Sequence, residues 1–303
     1  MNVPKKISIK EVGPRDGLQN EQVLLSTSDK ISWIDMLSVT GLSYIEITSF
    51  VHPKWVPPLR DALDVAKGIK RQPGVTYAAL VPNRKGLERA ISGNIDEAAV
   101  FMSASETHNQ KNINKPINKT FPILKEVITE AIEAKLTTRA YLSTVFGCPY
   151  EKNVPLEQIV RISETLFEMG IDELSLGDTI GAANPVQVEL ILETLLNRFP
   201  KEKIALHFHN TRGMALANII TAMNMGITTF DGACGGLGGC PYAPGSSGNA
   251  ATDDLIYMCA QMGIETGVEL GKLLLAAKWI EEKTGRQLPS HNLQAAKSLD
   301  CFS

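Results

Sequence analysis

Ile204–Ala205–Leu206–His207–Phe208–His209, then Asn210–Thr211–Arg212–Gly213, then Met214–Met225 closed by Gly226, read as strand, turn and helix. Side chains alternate along a strand, so His207 and His209 share one face and Phe208 takes the other. Two imidazoles on one face suit a divalent metal such as Zn, Fe, Mn or Co. The plainer reading of the same pair is two hydrogen-bonded polar residues inside a barrel.

The unit recurs. Further strand-like segments are Ile7–Val12, Tyr44–Ser49, Thr76–Val81, Glu97–Phe101, Thr138–Thr144, Glu173–Leu176 and Thr228–Asp231. Most are β-branched or apolar and end in Gly, Pro, Asn or Ser. Helical patterns lie between them, at Asp29–Ser38, Arg60–Lys70, Arg84–Ser92, Thr120–Ala134, Pro155–Met169 and Pro185–Phe199, with Leu255–Met262 after the last strand. Gly or Pro follows most of these, as helix terminators do. Strand then helix, eight times, is the pattern of a closed α/β (β/α)8 TIM barrel. A doubly wound two-domain chain is the alternative, but no linker, charge run or low-complexity stretch divides the sequence. One domain is expected over 1–303, with the barrel at about 5–262 and a C-terminal helical appendage at about 263–303. Its helix, Val268–Lys283, and the tail beyond would cap the barrel or carry oligomer contacts.

Composition fits a globular protein of 303 residues, 44% hydrophobic and 21% charged. A net charge of −3 argues against a general nucleic-acid or anionic-membrane binder. No apolar run approaches the ~18–20 residues of a membrane helix. Met1–Lys10 has neither a signal-peptide core nor a transit-peptide pattern. Five scattered cysteines, an odd number, do not form a secreted disulfide framework. A reducing, cytoplasmic setting is expected.

In such barrels the active site lies at the C-terminal strand ends. Unusual residues collect there: Gly13–Pro14–Arg15–Asp16–Gly17 after strand 1, Glu46 with Thr48–Ser49 on strand 2, Gly177–Asp178–Thr179 after strand 6, the histidines on strand 7, and Gly235–Gly236–Leu237–Gly238–Gly239–Cys240–Pro241 after strand 8. Asp16 adds a carboxylate to the two imidazoles and leaves positions open for water or substrate. With a carboxylate in the set, Mg²⁺ or Mn²⁺ is favoured. On its own Asp16 reads as a turn residue before Gly17. Asn249 offers an amide oxygen. Arg15 suits a carboxylate or a developing oxyanion, or else an ion pair with Glu21 or Glu46. Glu46 shares a face with Tyr44 and Thr48, must be paired inside a barrel, and is expected to orient Arg15, Asn249 or a ligand. Cys240 in its Gly-rich loop suits a general acid or nucleophile, against the alternative of an inert thiol. Cys234 reads mainly as packing, and Cys148, Cys259 and Cys301 as structural. His52 and His108 read as surface residues, His291 as a tail residue without a partner, and Lys111–Lys115 as a basic loop in solvent or near a phosphate.

These motifs resemble the 3-hydroxy-3-methylglutaryl-CoA lyases, in the metal-dependent TIM-barrel group that includes isopropylmalate and homocitrate synthases. The resemblance spans roughly residues 5–295. Its motifs are Gly13–Glu21, Glu46–Val51 with Pro53–Pro57, Val145–Tyr150, Ser175–Gly181, His207-x-His209 and, most discriminating, Gly235–Ala243 with Gly248–Asn249. His52 stands where related lyases often have a small residue. The resemblance implies cleavage of (S)-3-hydroxy-3-methylglutaryl-CoA to acetyl-CoA and acetoacetate. It implies Mg²⁺ or Mn²⁺ on Asp16, His207, His209 and Asn249, with Asp16 or His207 as the base. Arg15 would meet the thioester enolate, Cys240 would transfer a proton and Glu46 would support the site. A CoA thioester substrate and a homo-oligomer, dimer or tetramer, are expected. Leucine breakdown and ketone-body formation are family associations. A Claisen-type synthase or aldolase, or a metal-binding barrel without turnover, are the alternatives. Neither a plain binder's need for Arg15 and Cys240 nor a synthase's need for the Cys240 loop is apparent.

Overall fold

The computed structural model describes residues 2–239 and 247–299. Eight parallel strands close into a barrel in chain order, β1 pairing with both β2 and β8. They are β1 Ser8–Glu11, β2 Tyr44–Ser49, β3 Thr76–Leu80, β4 Glu97–Ser103, β5 Thr137–Ser143, β6 Glu173–Asp178, β7 Ile204–Phe208 and β8 Thr229–Gly232. Helices α1 Thr27–Ser38, α2 Ala62–Gly68, α3 Arg84–Ser92, α4 Glu106–Ile113, α5 Ile117–Glu133, α6 Leu156–Glu168, α7 Pro185–Leu196, α8 Ala215–Asn224 and α9 Thr252–Gln261 surround it, followed by α10 Leu270–Thr284 and α11 His291–Ser298.

The strands are apolar where they face the helices. Ile45 and Ile47 of β2 and Leu174 and Leu176 of β6 join one core with the inner stripes of the helices. In α6 that stripe is Ile159, Val160, Ile162 and Leu166, the three-to-four spacing of one helical face. Asn83 and Asn184 cap α3 and α7, each accepting the amide of the third residue beyond, and Pro185 fits the first turn of α7. Helix α9 starts at Thr252, ahead of the expected Leu255. Asp253 and Asp254 lie inside its first turn, where negative charge meets exposed helix N–H groups.

Two departures concern the β4 side. Lys111 does not sit in a loop, since Glu106–Ile113 forms α4, capped by Ser105 accepting from the His108 amide and ended by left-handed Asn114. His108 is not a surface residue: it is buried, its Nδ1 2.6 Å from Ser103 Oγ.

The appendage packs on the barrel's flank. Helix α10 lies against α1 and α9, and α11 against α9 and α10. The segment leading into α10 crosses the end of α1 at Gly41, where a Cβ would lie 2.1 Å from the Gly267 carbonyl oxygen. His291 has a partner, Asp254 Oδ2 at 3.3 Å. No described helix is long and apolar enough to cross a membrane.

Candidate active site

Strand β1 runs into a wide turn, Gly13–Gly17, with π-helical hydrogen bonding. The Val12 carbonyl accepts the amides of Arg15, Asp16 and Gly17 at 3.1, 2.7 and 3.3 Å. Such turns recur at functional sites because they swing side chains out of regular register. Glu11 clamps this turn to the loop after β8. Its Oε1 accepts the Gly13 and Cys234 amides at 2.8 and 2.9 Å, and its Oε2 the Thr252 hydroxyl at 2.6 Å. Burial pushes the Glu11 carboxyl up to about 7, those hydrogen bonds offsetting only part of it.

Arg15 and Asp16 thereby reach the barrel mouth, beside a cavity of about 440 Å³. Its polar walls include Arg15, Asp16, Tyr141, His207 and His209, and its apolar walls include Leu80 and Phe101. The His207 and His209 rings lie 5.2 Å apart on the inner face, while Phe208 packs outward on Phe146 with 5.3 Å between centroids. Asp16, His207 and His209 each offer a ligand atom, all within 4.8 Å of one another. Asn249 joins them: its Nδ2 donates to Asp16 Oδ2 at 2.9 Å and to the Leu237 carbonyl at 3.1 Å. Its Oδ1 and the Nδ1 of His209 are buried without a hydrogen-bond partner among the described residues. One carboxylate, two imidazoles and an unsatisfied amide oxygen fit a divalent cation with open positions.

The charges agree. Burial would raise Asp16, but Arg15 and the two histidines hold it down at about 2. Burial and the charge of His207 push His209 down to about 3, so its ring is neutral, as a ligand must be. Burial would also lower His207, but the hydrogen bond and charge of Asp231 carry it above the usual histidine value. Glu46, fully buried, accepts from Arg15 Nε at 2.7 Å and from Tyr141 Oη at 3.1 Å. Burial raises its pKa, and the neighbouring Arg15 charge limits the rise. Of the partners expected for Arg15, it takes Glu46. Glu21 instead pairs with Arg286 at 2.5 Å.

Beneath the site runs a ladder of buried charge absent from the expected set. Arg139 NH2 donates to Asp231 Oδ1 at 2.6 Å and NH1 to Tyr141 Oη at 2.8 Å, and its Nε lies 2.7 Å from Glu173 Oε1. Lys10 lies 3.1 Å from Glu173. The available signal was a charged residue inside an otherwise buried strand, Arg139 in β5 and Asp231 in β8. Asp178 is buried too, its two oxygens accepting the Ala182 and Ala183 amides at 2.9 Å each. Cys234 is buried, its Sγ 3.6 Å from the Leu273 carbonyl, and Cys148 and Cys259 are buried free thiols. Cys240 and Cys301 lie outside the described residues.

A profile described as HMGL-like matches residues 6–280. The chain belongs to the HMGL-like family. It is 72% identical over 298 residues to the hydroxymethylglutaryl-CoA lyase YngG of Bacillus subtilis, covering 98% of this chain and 100% of that one. The crystal structure of the Bacillus subtilis HMG-CoA lyase superposes with a TM-score of 0.97 at 72% identity, over 98% of this chain and 100% of that one. An HMG-CoA lyase from Acinetobacter baumannii, solved with coenzyme A and 3-methylmalate, matches at 40% identity and a TM-score of 0.92, over 96% and 95% of the two chains. The HMGL-like chain thus shares the closed barrel of these lyases over nearly its whole length.

Proposed function

We propose that the chain is a carbon–carbon lyase that cleaves (S)-3-hydroxy-3-methylglutaryl-CoA to acetyl-CoA and acetoacetate. The observation carrying this reading is the carboxylate–imidazole–imidazole cluster of Asp16, His207 and His209, beside Arg15 at the mouth of a barrel 72% identical to a named lyase. Asp16, His207, His209 and Asn249 would hold Mg²⁺ or Mn²⁺. Such an ion, when bound, polarises the oxygens of the substrate's hydroxyl and carboxylate. Asp16 takes the tertiary hydroxyl proton, since His207, which faces Asp231 with Nδ1 and would give Nε2 to the ion, has no nitrogen free for it. The C–C bond breaks in the retro-Claisen sense, its electrons entering the thioester carbonyl as an enolate while the hydroxyl carbon becomes the ketone of acetoacetate. Arg15, held by Glu46, faces that negative charge. Cys240 delivers the proton that turns the enolate carbon into the methyl group of acetyl-CoA. The cavity's apolar wall of Leu80, Phe101 and Val56 suits an acyl thioester arm.

A cytoplasmic location belongs to the same reading, supported by the buried free thiols of Cys148, Cys234 and Cys259. So does a homo-oligomer, dimer or tetramer, which light scattering would measure. The deciding experiment is acetoacetate release from 3-hydroxy-3-methylglutaryl-CoA by metal-stripped protein, with and without added Mg²⁺ or Mn²⁺. Metal-dependent release is expected. No release by folded, metal-binding protein would overturn the reading.

A further inference from the structure

The two imidazoles differ in what lies behind them. His209 Nδ1 is buried with no hydrogen-bond partner among the described residues, whereas His207 Nδ1 lies 3.2 Å from Asp231 Oδ2. Asp231 is itself immobilised. Its Oδ1 accepts from Arg139 NH2 at 2.6 Å and its Oδ2 from Ser175 Oγ at 3.2 Å, and both charged side chains are fully buried. Arg139 is fixed in turn by Tyr141 and Glu173. Because Arg139 is a permanent donor, it keeps Asp231 an ionised, acceptor-only group. An acceptor facing His207 Nδ1 calls for a proton on that nitrogen.

We propose that Asp231, held by Arg139, is a positioning residue that fixes His207 as the Nδ1–H tautomer and leaves the Nε2 lone pair for the metal. The inference rests on His207 being a ligand, as read above. A carboxylate behind a ligating imidazole sets the tautomer, orients the ring and strengthens the donor nitrogen. The two histidines are therefore unequal: His207 is set from behind by the barrel's interior charges, and His209 is not. Arg139 and Asp231 lie 92 residues apart in sequence, so closure of the barrel itself builds the support.

Asp231→Asn tests this with little change of shape. Arg139 would claim the amide oxygen, leaving the NH2 facing His207 Nδ1. A donor there demands the opposite tautomer, with the proton on Nε2. The first readout is ¹⁵N–¹H correlation of the histidine rings in the metal-free full chain at pH 9, with the His207 signals assigned by their loss in His207→Gln. The second is Mn²⁺ affinity by electron paramagnetic resonance. The wild type is expected to carry the His207 proton on Nδ1. Asp231→Asn is expected to move it to Nε2 and to weaken Mn²⁺ binding by about 10–100-fold. A proton on Nε2 in the wild type overturns the proposal, and this holds even if the variant does not fold. An unchanged tautomer in the variant, or Mn²⁺ affinity within about twofold of wild type, also overturns it. Wild-type protein that binds no Mn²⁺ would instead bring down the metal reading, and the ring spectrum would still report the tautomer.

Discussion

Arg15 and Glu46 form a buried ion pair, Nε to Oε2 at 2.7 Å, and the same guanidinium reaches Asp16 Oδ1 through NH1 at 2.5 Å. The arginine thus ties a support residue to a candidate metal ligand. Removing one partner of a buried pair strands the other, at a cost of about 3–5 kcal/mol. Arg15→Met should therefore lower the unfolding free energy by about 3 kcal/mol and turnover by roughly 10²–10³-fold, the range for a lost anion-stabilising donor. The double variant Arg15→Met/Glu46→Gln should regain most of the stability and none of the turnover. Urea unfolding and acetoacetate release separate the two effects. Equal recovery of both would mean that Arg15 acts only through folding.

Asn249 supplies the second test. Its Nδ2 is committed to Asp16 and Leu237, leaving Oδ1 as a buried acceptor with no hydrogen-bond partner among the described residues. An unsatisfied buried acceptor costs about 1–3 kcal/mol in the metal-free protein, and a cation would relieve it. Asn249→Ala should weaken Mn²⁺ binding by about tenfold or more, ~1.4 kcal/mol, while metal-free stability changes by less than about 1 kcal/mol. Titration followed by electron paramagnetic resonance measures the first, urea unfolding the second. Unchanged affinity would remove Asn249 from the donor set.

The barrel was legible because its strands are short apolar runs punctuated by turn residues. The His207–His209 pair was legible because alternation along β7 is local. Helix α4 was not, since Glu-Thr-His-Asn-Gln-Lys-Asn-Ile has no apolar stripe, and its end caps form only around Ser105 and Asn114. His108 looked exposed for the same reason. Arg139 and Asp231 carry no short-range signal of partnership, because strands β5 and β8 bring them together only across the closed barrel. Glu11 looked like one more residue of β1. Its importance comes from holding Gly13, Cys234 and Thr252 at once.

Glu11 predicts a pH dependence. Its folded-state pKa, about 7, lies above the unfolded value of 4.5. Between those values the folded chain binds a proton that the unfolded chain has released. The stabilisation from this group is complete below about pH 4.5 and is lost as pH rises through 7. Glu11→Gln can keep the contacts, with Oε1 accepting the two amides and Nε2 donating to Thr252. From pH 5 to 7 the wild type should lose stability relative to the variant, by up to about 1.4 kcal/mol per pH unit. Above pH 7 the variant should be the more stable protein. Urea unfolding of metal-stripped protein at pH 5, 6, 7 and 8 measures the difference, and parallel curves for the two proteins would refute it.

The chain reaches Cys240 through Gly238, whose φ of +131° and position against Asn249 admit no side chain: a Cβ would lie 2.7 Å from Asn249 Nδ2. Gly239, next to Cys240, lines the cavity. Cys240 is the sequence neighbour of a residue that lines the same cavity as Asp16 and His209. Serine keeps the size but is a far weaker acid than a thiol at neutral pH, so it cannot exchange a proton with an enolate carbon in the same way. Cys240→Ser should lower kcat by about 10²–10⁴-fold, the span of general acid–base catalysis, while Mn²⁺ affinity stays within about twofold. The split matters because the proposed ligands are carboxylate, imidazole and amide groups, so a metal effect would place the sulfur in the wrong role. If Cys240→Ser turns over like the wild type, the proton must come from another group.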